Sequence, residues 1–73
     1  MISKDKELIH MQLRLFRMAC REWNMSITEC ADVFDQYRID KYIDDAYEIF
    51  HVQGDEANFA EIDRYARSKG AIK

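Results

Sequence analysis

Lys6–Trp23, KELIHMQLRLFRMACREW, decides the fold. It contains neither Gly nor Pro. Ile9, Leu13, Phe16, Cys20 and Trp23 recur at spacings of four and three residues, and Leu8, Met11, Leu15 and Met18 form a second row beside them. At ~100° per residue the two rows cover roughly 220° of a helix surface, about twice what a surface helix needs. The pattern predicts a first helix over about residues 4–23, standing as a central post with other helices packed on both flanks.

Working outward, Ser3 is the expected N-cap, with Asp5 and Glu7 at the positive end of the helix. Asn24 takes the left-handed conformation that stops it. Ser26-Ile27-Thr28-Glu29 is a capping box with Met25 at the staple position. It opens a second helix, 27–38, that turns Ile27, Cys30, Ala31, Phe34 and Tyr37 inward. Asp40 is the expected cap of a third helix, 41–53, with Ile43, Ala46, Tyr47 and Phe50 inside and Gly54 as its stop. Asn58-x-x-Glu61 has the form of a second capping box and predicts a fourth helix, 59–69, burying Phe59, Ile62, Tyr65 and Ala66. Gly70 ends it, leaving 71–73 as a loose tail. No strand-type alternation or internal repeat occurs. The reading is all-α: one domain, 1–73, folded as a compact four-helix bundle with helix 1 central.

A chain of 73 residues buries only about 60–65% of its unfolded surface, so dimerisation or a partner would add needed stability. Net charge is −3, unevenly placed. Residues 1–24 carry five Lys/Arg against three Asp/Glu (+2), and residues 25–73 carry six against eleven (−5). The acidic balance excludes generic nucleic-acid binding, which requires a basic face. Asp40, Asp44, Asp45 and Glu48 on helix 3 would repel phosphates in a helix-turn-helix arrangement. Arg14, Arg17 and Arg21 interrupt the first helix and exclude a membrane span. No signal-peptide pattern opens the chain, and Cys20 and Cys30 fit reduced, buried thiols, so the expected location is the cytoplasm.

Three surface features bear on function. His10, Arg14, Arg17 and Arg21 form the polar stripe of helix 1: either a docking strip for an acidic partner, or a solvated face paired with Asp32, Asp44 or Glu48. Asp40, Asp44, Asp45 and Glu48 form an acidic face without the Gly-centred ligand spacing of a calcium loop. It is a solvated face or an acidic mimic that covers a partner's basic groove. His51 could serve as a general base, but no nucleophile or orienting carboxylate stands near it in sequence. Its place at a helix end suits a bond to terminal carbonyls or a surface contact. No cofactor or metal is expected. Leu8, Met11 and Met18 lie at one edge of the wide apolar arc; left uncovered, that edge is an interface.

Ser26-x-x-Glu29, Phe34-Asp35-Gln36-Tyr37, Tyr42-Ile43, Tyr47-Glu48-Ile49-Phe50-His51-Val52-Gln53-Gly54, Ile62-Asp63-x-Tyr65 and Lys69-Gly70-Ala71 together resemble a small bacterial family, domain of unknown function family thirty-seven ninety-one. The likeness spans almost the whole chain and is most specific at Tyr47–Gly54, where Phe50 replaces the usual aliphatic residue. The resemblance implies short, mostly stand-alone helical proteins with no established activity. It also implies genes lying beside one for an ADP-ribosyltransferase-like domain, and hence an antitoxin-like or cognate-binding role. It carries over no catalytic residues. The expectation is a non-enzymatic protein-binding domain, its contacts drawn from Leu8, Met11, Arg14, Arg17, Met18, Arg21, Asp44, Asp45, Glu48 and His51. The alternatives are a structural homo-oligomer, such as a homodimer, and a small ligand-binding or enzymatic domain around His51.

Overall fold

The structure, a computed structural model, describes residues 4–72. Ser3 and Lys73, part of the expected cap and tail, lie outside them. The regular structure among the described residues is entirely helical: α1 Lys4–Glu22, α2 Ile27–Gln36, α3 Ile39–Asp45, α4 Tyr47–Phe50 and α5 Asp55–Ser68. Helices α2, α3 and α5 all reach α1.

Two helix stops follow the sequence closely. Asn24 is left-handed (φ 53°). Its N–H donates to the Arg21 carbonyl at 3.3 Å, and the Met25 N–H donates to Cys20 at 3.0 Å. Gly70 (φ 81°) repeats the pattern after α5, with its N–H on Arg67 (3.1 Å) and that of Ala71 on Ala66 (2.9 Å). Each pair satisfies carbonyls that a helix end otherwise leaves open. The second pair also ties down Ala71, which with Ile72 packs on the core; those two residues are not a loose tail. At α2 the capping box is complete: the Glu29 N–H donates to Ser26 Oγ at 3.1 Å, and the Ser26 N–H donates to Glu29 Oε1 at 2.9 Å.

The third predicted helix is broken and shifted. Asp40 does not cap it. The turn residue is Arg38, left-handed at φ 53° with no side-chain cap, and α3 begins at Ile39, which is fully buried. At Ala46 (φ −92°, ψ 5°) the helix is interrupted, and α4 adds one turn. Left-handed backbone costs a non-glycine residue ~1–2 kcal/mol. Glycine there loses part of that gain through its freer unfolded chain. Arg38→Gly is therefore expected to stabilise the fold by about 0.5–1 kcal/mol and raise Tm by roughly 2–8 °C in a thermal melt. A lower Tm would show that the Arg38 side chain contributes more than its backbone costs.

The fourth predicted helix starts earlier than Asn58. Gly54, in extended conformation (φ −79°, ψ 163°), precedes α5, whose first turn carries Asp55 and Glu56. Asn58 is not a cap but a buried residue inside α5. Its Nδ2 donates to the Phe50 carbonyl at 2.9 Å, closing the end of α4.

The core is built on Leu15, Ile39, Ile43, Ile62 and Cys30, all without exposed surface. Aromatic rings link its parts. Phe16 meets Phe34 edge-on at 5.1 Å, and Trp23 lies 6.3 Å from Phe34 and 5.7 Å from Phe59. Trp23 Nε1 donates to Asp63 Oδ1 at 2.8 Å, joining the end of α1 to α5. Cys20 and Cys30 are free thiols. Burial, then the neighbouring Cys20, pushes the Cys30 thiol up to about 12, so it stays protonated and inert at neutral pH.

Helix α5 lies against one flank of α1, at Arg14 and Met18, and α2 and α3 lie against the other, at Phe16 and Gln12, but the wide apolar arc is not wholly covered. Its fully buried file is Met11, Leu15 and Ala19, one turn apart. Leu8, Phe16, Met18 and Cys20 are half-buried beside it. Ile9 and Leu13 keep 61% and 47% of their surface exposed. The covering helices are too short and too few to reach them: α3 touches this side of α1 where Gln12 Nε2 donates to the Asp40 carbonyl (3.0 Å), and α2 touches it beside Phe16. Met11 is therefore core, and the uncovered edge is Ile9 and Leu13 rather than Leu8, Met11 and Met18. In α2, Ile27 (73% exposed) and Ala31 also face outward rather than into the core.

Candidate functional site

The end of α4, the 51–54 turn and the start of α5 fold back toward the polar stripe of α1. Between them lies a cleft of ≈ 190 Å³. Glu7, His10 and Arg14 line it from α1, His51 and Gln53 from the turn, and Asp55 from α5; Met11 and Phe50 supply apolar wall. Helical spacing places Glu7, His10 and Arg14 on one face of α1, three and four residues apart.

Its polar groups are largely engaged with each other. Arg14 grips Asp55 with two nitrogens, Nε to Oδ2 at 2.9 Å and a terminal nitrogen to Oδ1 at 3.4 Å. The Tyr47 hydroxyl donates to Glu7. Lys4 Nζ sits over the Tyr47 ring at 5.3 Å, a cation–π distance. The His51 ring stacks on Tyr47, centroids 5.2 Å apart and 10° between planes. Its Nε2 is 3.9 Å from the exposed Glu48 carboxylate. Ring stacking therefore positions His51; no bond from it to a helix-end carbonyl occurs among the described contacts.

The bond to Glu7, followed by burial, pushes the Tyr47 hydroxyl up to about 12. The raised value means that folding favours the protonated phenol. That contribution is whole below the unfolded pKa of about 10 and is lost as pH rises toward 12. Glu7→Gln is expected to bring the Tyr47 midpoint back toward about 10, read by ring-carbon NMR through an alkaline titration. An unmoved midpoint would remove Glu7 as the cause.

The other residues singled out from sequence are spread apart. Arg14 and His51 both line the cleft, and Glu48 lies 3.9 Å from His51 Nε2. Arg21 pairs with its neighbour Glu22 (3.4 Å), and Met18 and Arg21 border a separate hollow of ≈ 270 Å³ with Glu56 and Phe59. Arg17 is exposed without an ion pair among the described contacts. The α1 stripe thus does not pair with Asp32, Asp44 or Glu48. On α3, Asp44 and Asp45 are exposed, and Asp45 is held by Lys41 at 2.8 Å. Glu7, Tyr47, Gln53 and Asp55 were not anticipated as site residues: they read as a first-turn acid, a core tyrosine, a helix-end residue and a connector, and only the chain reversal at 51–54 gathers them.

No group of three His, Cys, Asp or Glu among the described residues is arranged to hold a metal ion. No described helix is long and apolar enough to cross a membrane. Comparison with curated proteins and with solved structures yields no match. Residues 11–69, which include Asn24, the Tyr47–Gly54 segment and every cleft residue except Glu7 and His10, match the family described as Protein of unknown function (DUF3791), and the chain belongs to that family.

Proposed function

We propose that this chain is a non-enzymatic protein-interaction domain, organised around α1, that binds and regulates a partner encoded nearby. The observation that carries the reading is the uncovered apolar edge: Ile9 and Leu13, one turn apart, remain 61% and 47% exposed beside a half-buried Phe16. Together they border a shallow groove of ≈ 250 Å³. Contiguous exposed apolar side chains rimmed by charge are a signature of interfaces. The acidic face of α3 and α4, with Asp44, Asp45 and Glu48 outward, supplies specificity and on-rate, while the apolar edge supplies affinity. The gene neighbourhood that the family resemblance implies makes an ADP-ribosyltransferase-like domain the first partner to test, in an antitoxin-like role within a bacterial cytoplasm.

The His51 cleft supports binding better than catalysis. At ≈ 190 Å³ it is below the ~300 Å³ at which small-molecule sites begin. No Ser, Thr or Cys lines it, and both carboxylates in it already accept bonds from within the chain.

The test is capture of the purified neighbouring-gene product by the tagged chain. Leu13→Asp and the double variant Asp44→Lys, Glu48→Lys are each expected to weaken capture about tenfold or more. Capture at full strength by both variants overturns the assigned surface.

A further inference from the structure

The groove beside Ile9 and Leu13 has opposite charge on its two rims, and this selects an occupant. Around α1, at ~100° per residue, Gln12 lies about 80° to one side of the Ile9–Leu13 edge, and Arg17 and His10 lie about 60–80° to the other. On the Gln12 side stands α3, whose Asp40 lines the groove and accepts the Gln12 amide on its backbone carbonyl. Asp44 follows one helical turn later and is exposed. One rim is therefore acidic and the other basic. Neither Asp40 nor Arg17 has a charged partner among the described contacts. The edge itself runs Ile9, Leu13, Phe16, Cys20, spaced four, three, four. That is the rhythm at which two helices pack as a left-handed pair.

We propose that a second copy of this chain docks on the edge, α1 against α1 in parallel, about a two-fold axis running along the helices. The direction follows from the rims. A two-fold axis parallel to α1 carries the basic rim of one copy onto the acidic rim of the other, twice. A two-fold axis across the helices makes the pair antiparallel and sets acid against acid and base against base. In the parallel pair Leu13 meets its own copy at the axis, and Arg17 faces the partner copy's Asp40 rim. Arg17 stands about 7.5 Å further along α1 than Gln12, within reach of an arginine side chain. The burial that raises the Asp40 carboxyl above its ordinary value is consistent with a group lacking its counter-charge in the single chain. The pairing rests on the interaction-domain reading. A second copy takes the same apolar edge that a foreign partner would use, so the two compete for it.

Three measurements test it; Leu13, Arg17 and Asp40 are exposed, and Cys20 is half-buried, so the Cys20→Ser chain alone is the control for the last. Sedimentation equilibrium of the full chain is expected to show a concentration-dependent rise from one to two monomer masses. A strict monomer up to millimolar concentration overturns the proposal. Arg17→Glu and Asp40→Lys are each expected to weaken association about tenfold, and the double exchange is expected to restore it. No rescue overturns the rim pairing. Leu13→Cys, in a Cys20→Ser background, is expected to form a disulfide between copies under mild oxidation; an association without that cross-link overturns the parallel direction. Failure here is distinct from failure of the interaction reading: a monomer that still captures the neighbouring-gene product, and loses it on Leu13→Asp, retains the foreign-partner surface. A dimer that captures nothing retains the pairing alone.

Discussion

Replacing Leu15 by alanine is expected to cost about 2–5 kcal/mol, and replacing Leu13 less than about 0.5 kcal/mol. The two leucines are two residues apart on α1 and belong to the same apolar arc. Leu15 has no exposed surface, whereas Leu13 keeps 47%. Truncating Leu15 removes buried carbon and leaves a cavity that its neighbours fill only in part. Domains carry roughly 0.05–0.15 kcal/mol of stability per residue, so for a chain this short the change removes a large share of the total. At about 4–8 °C per kcal/mol for a domain of this size, Tm falls by roughly 10 °C or more. Urea melts of the two variants check the difference. Equal losses would place the buried seam of α1 elsewhere.

Removing the Asp63 carboxylate is the second large effect, expected at about 1.5–3 kcal/mol for Asp63→Ala. Asp63 Oδ2 accepts from Arg67 Nε at 2.9 Å, and Oδ1 accepts from the Trp23 indole at 2.8 Å. Arg67 first, and the indole as well, hold the carboxyl below its ordinary value. A lowered folded-state pKa adds stability that is complete above the unfolded value of about 3.9. It is lost as pH falls through the folded one. The native chain should therefore lose stability steeply below about pH 4, and Asp63→Ala should lose less over the same interval. Asp63→Asn keeps an acceptor for the indole but not the ion pair, and should fall between them. Denaturant midpoints from pH 7 down to 3 give the three slopes. Identical slopes for native and alanine chains would exclude Asp63 from the acid response. Glu29, lowered by its bonds to Ser26, keeps contributing to the acid limb in all three.

The local signals of this chain were readable, and the long-range ones were not. Ser26 with Glu29, Asn24 and Gly70 act within four or five residues, so their chemistry is complete in the sequence. Asn58 with Glu61 has the same form but a different fate. Asp55 and Glu56 already suit a helix start after Gly54, and the Phe50 carbonyl offers the Asn58 amide a buried partner, so tertiary contact overrode the capping signal. The interruption at Ala46 leaves no mark in the apolar spacing of 39–53. Periodicity revealed a wide apolar arc on α1 but not which part the other helices cover. That depends on where α2 and α3 cross it, which Ile39 and the left-handed Arg38 decide. Of the cleft, Arg14 and His51 stood out by residue type. Their sharing one cleft depends on the reversal at 51–54, and no spacing rule encodes it.

The amide of Asn58 ties the fate of α4 to that of its successor. One turn of helix has too few internal bonds to persist by itself, and the carbonyl closing this one is held from inside α5. Residues 47–50 are consequently tied to α5 through the Phe50 backbone, although Glu48 and Ile49 keep their side chains in solvent. Hydrogen exchange is expected to show the backbone protons of 47–50 opening together with α5 as one cooperative block, so that whatever grips the 51–54 turn steadies both.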